Sequence, residues 1–319
     1  MKALRFHQYG PPSVLTIEEL ATPQPRAGES LVQIYATAIN PSDVKNVAGA
    51  FKTALPHTPG RDYAGIVVDG EGEGREVWGS GPGFGVEREG SHAEFIVMPS
   101  DWLAGKPHNL SMDEAAAIGV PFVVAWNGLV QEAGVQPGEM ILVTGALGAV
   151  GRAVTQIAHW KGARVIGADI SDRPCESDIY VNTKSRDLVT EVKAATNDKG
   201  VDLVYDTVGG PLFEPCLKSL RISGRQVAMT SVGDRRVSFD LIDFYHNLSR
   251  LIGVDSLKLT GPAIAAIMNS LKPGFESGAL KPFPVRSSMF EEAVAAYTAV
   301  EKGAGPEKEV LSMSRGVSP

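Results

Sequence analysis

Cysteine is nearly absent. Cys175 and Cys216 are the only two in 319 residues, too few for a disulfide framework or a cysteine-based zinc site, and both are read as buried or incidental thiols. A basic excess is missing too: 30 Lys and Arg stand against 37 Asp and Glu, a net charge of −7, with no basic run. Such a chain offers little to a phosphate backbone or an anionic membrane surface, so nucleic acid and membrane are set aside as partners. Long charge-free apolar stretches are wanting, and the opening Met1-Lys2-Ala3-Leu4-Arg5 lacks the apolar block of a signal peptide, so a cytoplasmic location is expected. No internal repeat or low-complexity segment is present, which excludes a solenoid. What remains, 43% hydrophobic and 21% charged residues, is ordinary for a globular chain long enough for two domains.

The most informative stretch is Met140 to Gly151, where an apolar run rich in β-branched residues stops at Gly145, Gly148 and Gly151, three apart. Residues with helical spacing (Val150, Val154, Ile157, Ala158) follow. A strand, a tight turn and a helix start are predicted. The first turn of a helix carries unpaired N–H groups and the positive end of the dipole, and glycines let a pyrophosphate approach the backbone. Gly145, Ala146, Leu147, Gly148, Ala149, Val150 and Gly151 are therefore candidate dinucleotide-binding residues. Alone, the pattern is better explained by glycines that merely allow close helix–strand packing. The context changes the balance: a second apolar strand, from Gly162, ends in Asp169 eighteen residues after Gly151, where a ribose 2′-hydroxyl would be held.

Up to about residue 115, short strand-like runs at 2–6, 30–38, 63–68, 76–78 and 93–97 are broken by Gly and Pro, with a mobile glycine-rich loop expected at 79–90. Ser111-Met112-Asp113-Glu114 has the capping-box pattern that opens a helix. Strands expected at 141–144, 164–168, 179–182, 203–206, 226–229 and 251–254 interleave with helical segments, which specifies a parallel sheet covered on both faces. Helices at 262–271 and 290–301 and a last strand at 309–311 return the chain to the first domain. The expected fold class is α/β, with a β-rich domain from 1–115 and 260–319 and a doubly wound nucleotide-binding domain over 116–259.

In this order the chain resembles the medium-chain dehydrogenase/reductase superfamily, in its zinc-independent branch of quinone oxidoreductases, zeta-crystallin and enone reductases. The resemblance rests on Ile39-Asn40-Pro41-Ser42-Asp43-Val44, Thr58-Pro59-Gly60-Arg61-Asp62-Tyr63-Ala64-Gly65, Gly90-Ser91-His92-Ala93-Glu94-Phe95, Glu114 to Gly119 and Val135-Gln136-Pro137-Gly138-Glu139. The glycine turn, Asp206-Thr207-Val208-Gly209-Gly210 and Leu251-Ile252-Gly253-Val254-Asp255 complete it. It implies a GroES-like β domain formed by both termini, with a Rossmann domain inserted between. Zinc relatives give a cysteine, a histidine and a second cysteine or acid to a catalytic metal. The matching positions resemble Asn40, Arg61 and a point near Gly119-Val120, and the four-cysteine structural lobe is missing, so no metal is expected. Without a Lewis acid the hydride acceptor must disperse its own developing charge, which favours a quinone or an α,β-unsaturated carbonyl over simple alcohol oxidation. His57 and His92 lack a partner at metal spacing and are read as surface or hydrogen-bonded structural residues.

By the same resemblance Asn40 orients nicotinamide or substrate, while Ser42 and Asp43 are read as an Asx-type cap that sets the loop. Some enoyl reductases of the family place a proton-donating tyrosine in a Gly-x-Tyr segment. Here it is Gly49-Ala50-Phe51, so water, Tyr63 or Lys45 must donate instead, and Tyr63 equally reads as a half-buried strand residue. Thr207, Val208, Ser231 and Val232 end strands at the ligand edge of the sheet. Asp255 closes the strand by which relatives pair two nucleotide domains, which implies a homodimer, and it faces either substrate or solvent. The implied coenzyme is NAD(P)H, with NADH favoured. Asp169 repels a 2′-phosphate, and Asn182-Thr183-Lys184 departs from the Asn-Tyr-Lys segment of NADPH relatives, whereas Arg173 is the opposing candidate for holding a phosphate. The helix after the second strand is expected to be cut short at Ser171-Asp172-Arg173-Pro174. Two readings compete with a reductase of small-molecule acceptors: a zinc-type alcohol dehydrogenase and a non-catalytic nucleotide-binding protein.

Overall fold

The computed structural model of the protein describes residues 1–173, 175–303 and 305–313; Pro174, Ala304 and residues 314–319, the end of the expected 260–319 segment, lie outside them. The described residues form two compact units, Met1–Val123 with the described part of Leu257–Pro319, and Val124–Ser256. The strands are β1 (Lys2–Phe6), β2 (Leu15–Glu19), β3 (Glu29–Ala38), β4 (Asp62–Gly70), β5 (Glu76–Ser80), β6 (Phe95–Pro99), β7 (Ala104–Gly105), β8 (Met140–Thr144), β9 (Arg164–Asp169), β10 (Ile179–Asn182), β11 (Val201–Asp206), β12 (Leu220–Ala228), β13 (Arg250–Gly253), β14 (Val285–Met289) and β15 (Lys308–Ser312). The helices that matter below are α1 (Pro41–Val47), α2 (Met112–Ala116), α3 (Gly119–Trp126), α4 (Ala149–Trp160), α5 (Leu188–Ala195), α6 (Phe213–Lys218) and α7 (Leu241–His246). No helix among the described residues is long and apolar enough to cross a membrane.

In the first unit the strands run β14-β15-β3-β4-β5-β7, with β6 also on β3. The last strand joins the first domain as expected: β15 pairs antiparallel with β3 in the register Val310↔Ala38. Alternating inward residues build the core, Val32 and Ile34 of β3 meeting Tyr63, Val67, Val77, Phe84 and Met98. A second cluster gathers Leu4, Phe6, Ile39, Val44, Phe290, Tyr297 and Leu311. The capping box at Ser111 forms in full: its hydroxyl accepts the Glu114 N–H at 3.2 Å, and the Glu114 carboxylate accepts the Ser111 N–H at 2.9 Å.

The second unit is a six-stranded sheet in the order β10-β9-β8-β11-β12-β13, parallel throughout. Its central strands are apolar and fully covered, as sheets flanked by helices require: Ile141, Leu142, Val143, Val165, Ile166, Leu203 and Val204 are all 0% exposed. Counted from β8 the order is 3-2-1-4-5-6, so the winding reverses between β8 and β11 and opens a crevice at their carboxyl ends.

Three expectations need correction. Residues 79–90 are not a free loop: β5 continues to Ser80, and Phe84 turns inward to 1% exposure beside Tyr63 and Trp102, because a large ring is better buried than left on a glycine-rich surface. β12 starts at Leu220, not 226. Its first half escapes notice because the register jumps from Val201↔Leu220 to Leu203↔Arg225, a bulge with Ser223 at φ +62°. β2, β7 and β14 were not anticipated, β2 and β14 being largely exposed and β7 only two residues long. Between β9 and β10 no helix forms among the described residues, in keeping with the short segment around Ser171-Asp172-Arg173.

Candidate active site

The glycine turn links β8 to α4. Gly145 has φ +60°, a conformation that costs other residues, and a Cβ on Gly151 would lie 2.2 Å from the Gly145 carbonyl oxygen. Gly148 caps α4 without any side-chain hydrogen bond, which leaves the first-turn N–H groups open to a ligand. Asp169, ending β9, folds back on this turn. Its Oδ2 accepts the Leu147 N–H at 3.0 Å and its Oδ1 its neighbour Ile170 N–H at 2.7 Å.

Across the crevice from the turn, Asp206 pins the loop after β11. Its Oδ1 accepts from the Thr144 hydroxyl at 2.6 Å, Val208 N–H at 3.0 Å and Gly209 N–H at 2.9 Å, while the Thr207 hydroxyl donates to Thr144 O at 2.7 Å. Val232 N–H donates to Val208 O at 2.8 Å, which ties the loop after β12 alongside. The turn 145–151, Asp169, Thr207, Val208 and Val232 thus line one edge of the sheet. Ser231 is exposed, its hydroxyl on Asp234 O at 2.8 Å. Arg173 and Asp255 are exposed too, Arg173 on the segment after β9, where its charge acts on Arg152 of α4, and Asp255 beyond strand β13. A turn with no room for a Cβ at Gly151, with open N–H groups and a carboxylate one strand away, fits a dinucleotide.

The first unit holds a second constellation, buried and polar. The register Val310↔Ala38 carries Lys308 to the level of Asn40, and the Lys308 Nζ donates to Asn40 Oδ1 at 2.5 Å. Asn40 Nδ2 donates to Asp62 Oδ2 at 2.8 Å, and Asp62 Oδ1 accepts the Val120 N–H at 2.8 Å. Asp43, in the first turn of α1, accepts the Asn40 N–H at 2.8 Å, so it caps its helix as expected. Asn40, Asp43, Arg61 and Asp62 are between 0% and 4% exposed and Lys308 is 7% exposed. Burial pushes the Asp62 carboxyl up, against the Lys308 charge and the Asn40 hydrogen bond, and pushes the Lys308 ammonium down, against Asp62 and Asp43. The Ser42 hydroxyl is buried and finds no partner among the described residues.

Two proton-donor candidates are displaced. Tyr63 is 2% exposed in the core, its hydroxyl 3.2 Å from Met98 Sδ, and burial alone pushes its ionisation far up; an inward strand position, not a site, explains it. Lys45 lies on the exposed face of α1, whose other face buries Asp43, Val44, Asn46 and Val47. His57 and His92 are hydrogen-bonded structural residues: His57 Nε2 meets Arg88 O at 2.9 Å, and His92 bridges Ala38 O at 3.2 Å and the Tyr297 hydroxyl at 2.8 Å. Burial lowers the His92 pKa to about 4, so it stays neutral at physiological pH. Lys308 and Asp62 were missed as site residues. The only signal was a charged residue next to a strand, and the expected strand began one residue too late to include Lys308.

A GroES-like sheet unit and a doubly wound parallel sheet with a glycine cradle in the same chain define a nucleotide-dependent oxidoreductase fold. Residues 26–108 match the alcohol dehydrogenase GroES-like domain and residues 149–267 the zinc-binding dehydrogenase model. The chain is 37% identical over 309 residues to a zinc-type alcohol dehydrogenase-like protein of Schizosaccharomyces pombe, covering 93% of each. It is 31% identical to a 2-methylene-furan-3-one reductase of Solanum lycopersicum (98% of this chain, 79% of that one), and 28% identical to a quinone oxidoreductase of Rattus norvegicus (96% and 95%). The chain belongs to the medium-chain dehydrogenase/reductase superfamily, a family of NAD(P)-dependent oxidoreductases.

Proposed function

We propose that the protein is a zinc-independent, NAD(P)H-dependent reductase that delivers hydride to a quinone or to the β-carbon of an α,β-unsaturated carbonyl. One observation carries this reading: the positions that supply a metal in zinc relatives are filled against one. Asn40 Oδ1 already accepts from an ammonium, Arg61 is a cation, and a Cβ at Gly119 would stand 2.2 Å from Asp62 Oδ1, so a cysteine or acid there has no room. These residues do not fit zinc. The names of the tomato and rat relatives support the same acceptor classes.

Bound at the cradle, the coenzyme supplies the hydride. The pair of electrons displaced from the acceptor's double bond collects on its oxygen, which needs a hydrogen-bond donor. Asn40, the residue that the resemblance assigns to orienting nicotinamide or substrate and whose Nδ2 donates to Asp62, is the side chain taken to meet that oxygen. Water or the Ser42 hydroxyl completes protonation. Asp169, positioned by the turn it caps, favours the free ribose hydroxyls of NADH. β13 has one edge unpaired among the described residues, and Leu241, Ile242, Tyr245, Leu248 and Leu251 nearby are 40–65% exposed, which supports pairing with a second copy along that edge. A cytoplasmic location goes with this reading.

The test follows absorbance loss of NADH and NADPH separately with quinones, enones and enoyl thioesters on protein assayed for metal. Turnover without metal is expected. Stoichiometric zinc with alcohol oxidation would revive the dehydrogenase reading, and tight coenzyme binding with no turnover across the panel would favour a non-catalytic role.

A further inference from the structure

A carboxylate in a protein interior is ordinarily answered by a cation, as Asp62 is by Lys308 in the first unit. Asp206, at the end of β11, is 0% exposed, and among the described residues no lysine, arginine or histidine forms an ion pair with it. Neutral donors hold it instead. Its Oδ1 accepts from the Thr144 hydroxyl and the Val208 and Gly209 N–H groups, and its Oδ2 from Gln226 Nε2 at 3.4 Å. An asparagine would satisfy the same geometry. Its oxygen would keep the three donors, and a half-turn of the Gln226 amide would bring Oε1, which is buried without a partner among the described residues, to the new Nδ2, at the cost of a 3.4 Å contact to Phe213 O. The hydrogen bonds account for the shape of this residue and not for its charge.

Its place in the sheet accounts for the charge. The order β9-β8-β11 sets Asp169 and Asp206 one strand to either side of the glycine turn. With the adenosine ribose at Asp169 and the diphosphate on the turn, a dinucleotide that crosses the switch point carries its nicotinamide half to the β11 side. A nicotinamide ring is neutral in the reduced coenzyme and cationic once hydride has left it. We propose that Asp206 is the counter-charge of the oxidised ring: it holds NAD⁺ more tightly relative to NADH than a neutral residue would, and so makes bound NADH the stronger hydride donor. The carboxylate repels the diphosphate of both forms alike, so the difference between the forms isolates the ring. This rests on the reading of the turn as a coenzyme site and adds which oxidation state that site favours. A carboxylate that only pins the loop after β11 is the rival explanation.

The test measures both coenzyme forms on Asp206→Asn, NADH by its fluorescence and NAD⁺ by competition against it. The ratio of the NAD⁺ Kd to the NADH Kd is expected to rise about fivefold, the size of one partly screened charge–charge interaction. A residue that only pins the loop would weaken both forms together and leave the ratio alone. Thr144→Val is that case: it removes a donor to Asp206 and keeps the charge, and its ratio is expected within about twofold of wild type. Should Asp206→Asn fail to fold, wild type answers by itself. Benzamide adenine dinucleotide has the shape of NAD⁺ with an uncharged ring, and wild type is expected to bind it about fivefold more weakly than NAD⁺. An unchanged ratio in Asp206→Asn, an equal shift in Thr144→Val, or equal binding of NAD⁺ and the neutral dinucleotide to wild type would each overturn the proposal, and failure to bind either coenzyme form would overturn it together with the reading of the turn. If wild type reduces no quinone or enone while the ratio shifts as expected, the proposed function fails and the role of Asp206 stands; turnover with an unchanged ratio removes Asp206 alone.

Discussion

The two constellations are built on opposite plans. The nucleotide cradle is made of backbone: three glycines within seven residues, N–H groups at a helix start, and a carboxylate that bonds to the turn itself. The polar centre of the first unit is made of side chains drawn from residues 40, 43, 62 and 308, held by charge and hydrogen bonds in a buried place. A backbone site tolerates change in most side chains but none at the glycines. A side-chain network fails when any one partner is removed, because each buried group then keeps its desolvation cost and loses its compensation.

The largest effect is therefore expected in the first unit. Asp62→Ala leaves Asn40 Nδ2 and Val120 N–H without their acceptor, and leaves Lys308 with Asp43 as its remaining nearby carboxylate. Breaking a buried ion pair from one side costs about 3–5 kcal/mol, so urea melts should show a loss of that order. A loss under about 1 kcal/mol would mean that water reaches the centre freely and that the contrast with the cradle is false.

Next comes Gly151→Ala. The added methyl must sit 2.2 Å from a backbone oxygen and 2.8 Å from Ala146 Cα, neither of which can swing aside as a side-chain tip does. The turn has to open, at about 1–3 kcal/mol of stability, and coenzyme affinity, followed by fluorescence titration, should fall about 100-fold. Unchanged affinity would move the diphosphate elsewhere.

The same contrast explains what sequence could and could not disclose. Apolar runs ending in Gly145, Gly148 and Gly151, and a carboxylate at the end of the next strand, are local patterns, and local patterns survive in one dimension. Ser111 and Glu114 were legible for that reason. Lys308 was not: its meaning arises from the register Val310↔Ala38, a pairing across some 270 residues that no spacing rule reports. Tyr63 had two readings, proton donor and half-buried strand residue, and the second is the one realised. Its place beside Arg61 and Asp62 made it look available for proton transfer, yet strand alternation turns its ring into the core with Phe84 and Met98.

A finer probe of the cradle is Asp169→Ser. The carboxylate accepts from Leu147 N–H and Ile170 N–H and still has lone pairs for a ribose hydroxyl. A serine hydroxyl keeps some hydrogen bonding but not the charge that opposes a 2′-phosphate. The NADH-to-NADPH ratio of kcat/KM should shift toward NADPH by about tenfold, roughly 1.4 kcal/mol. If wild type already prefers NADPH by a hundredfold, Arg173 and not Asp169 governs the choice.

The smallest effect sharpens the comparison most, because it asks whether burial beside the polar centre is enough to make a residue part of it. Tyr63 stands next to Asp62 in β4, but among the described residues its hydroxyl bonds only to the Met98 sulfur, a weak acceptor, and its ring packs with Phe84 at 6.4 Å between centroids. Tyr63→Phe removes that one bond and keeps the ring, so the stability change should stay below about 1 kcal/mol. With no proton held near the acceptor, kcat should stay within about twofold of wild type, and the pH profile should not move. A tenfold loss of kcat with an unchanged melting temperature would return Tyr63 to the chemistry, and would mean that the polar centre extends along β4 into what is otherwise an apolar core.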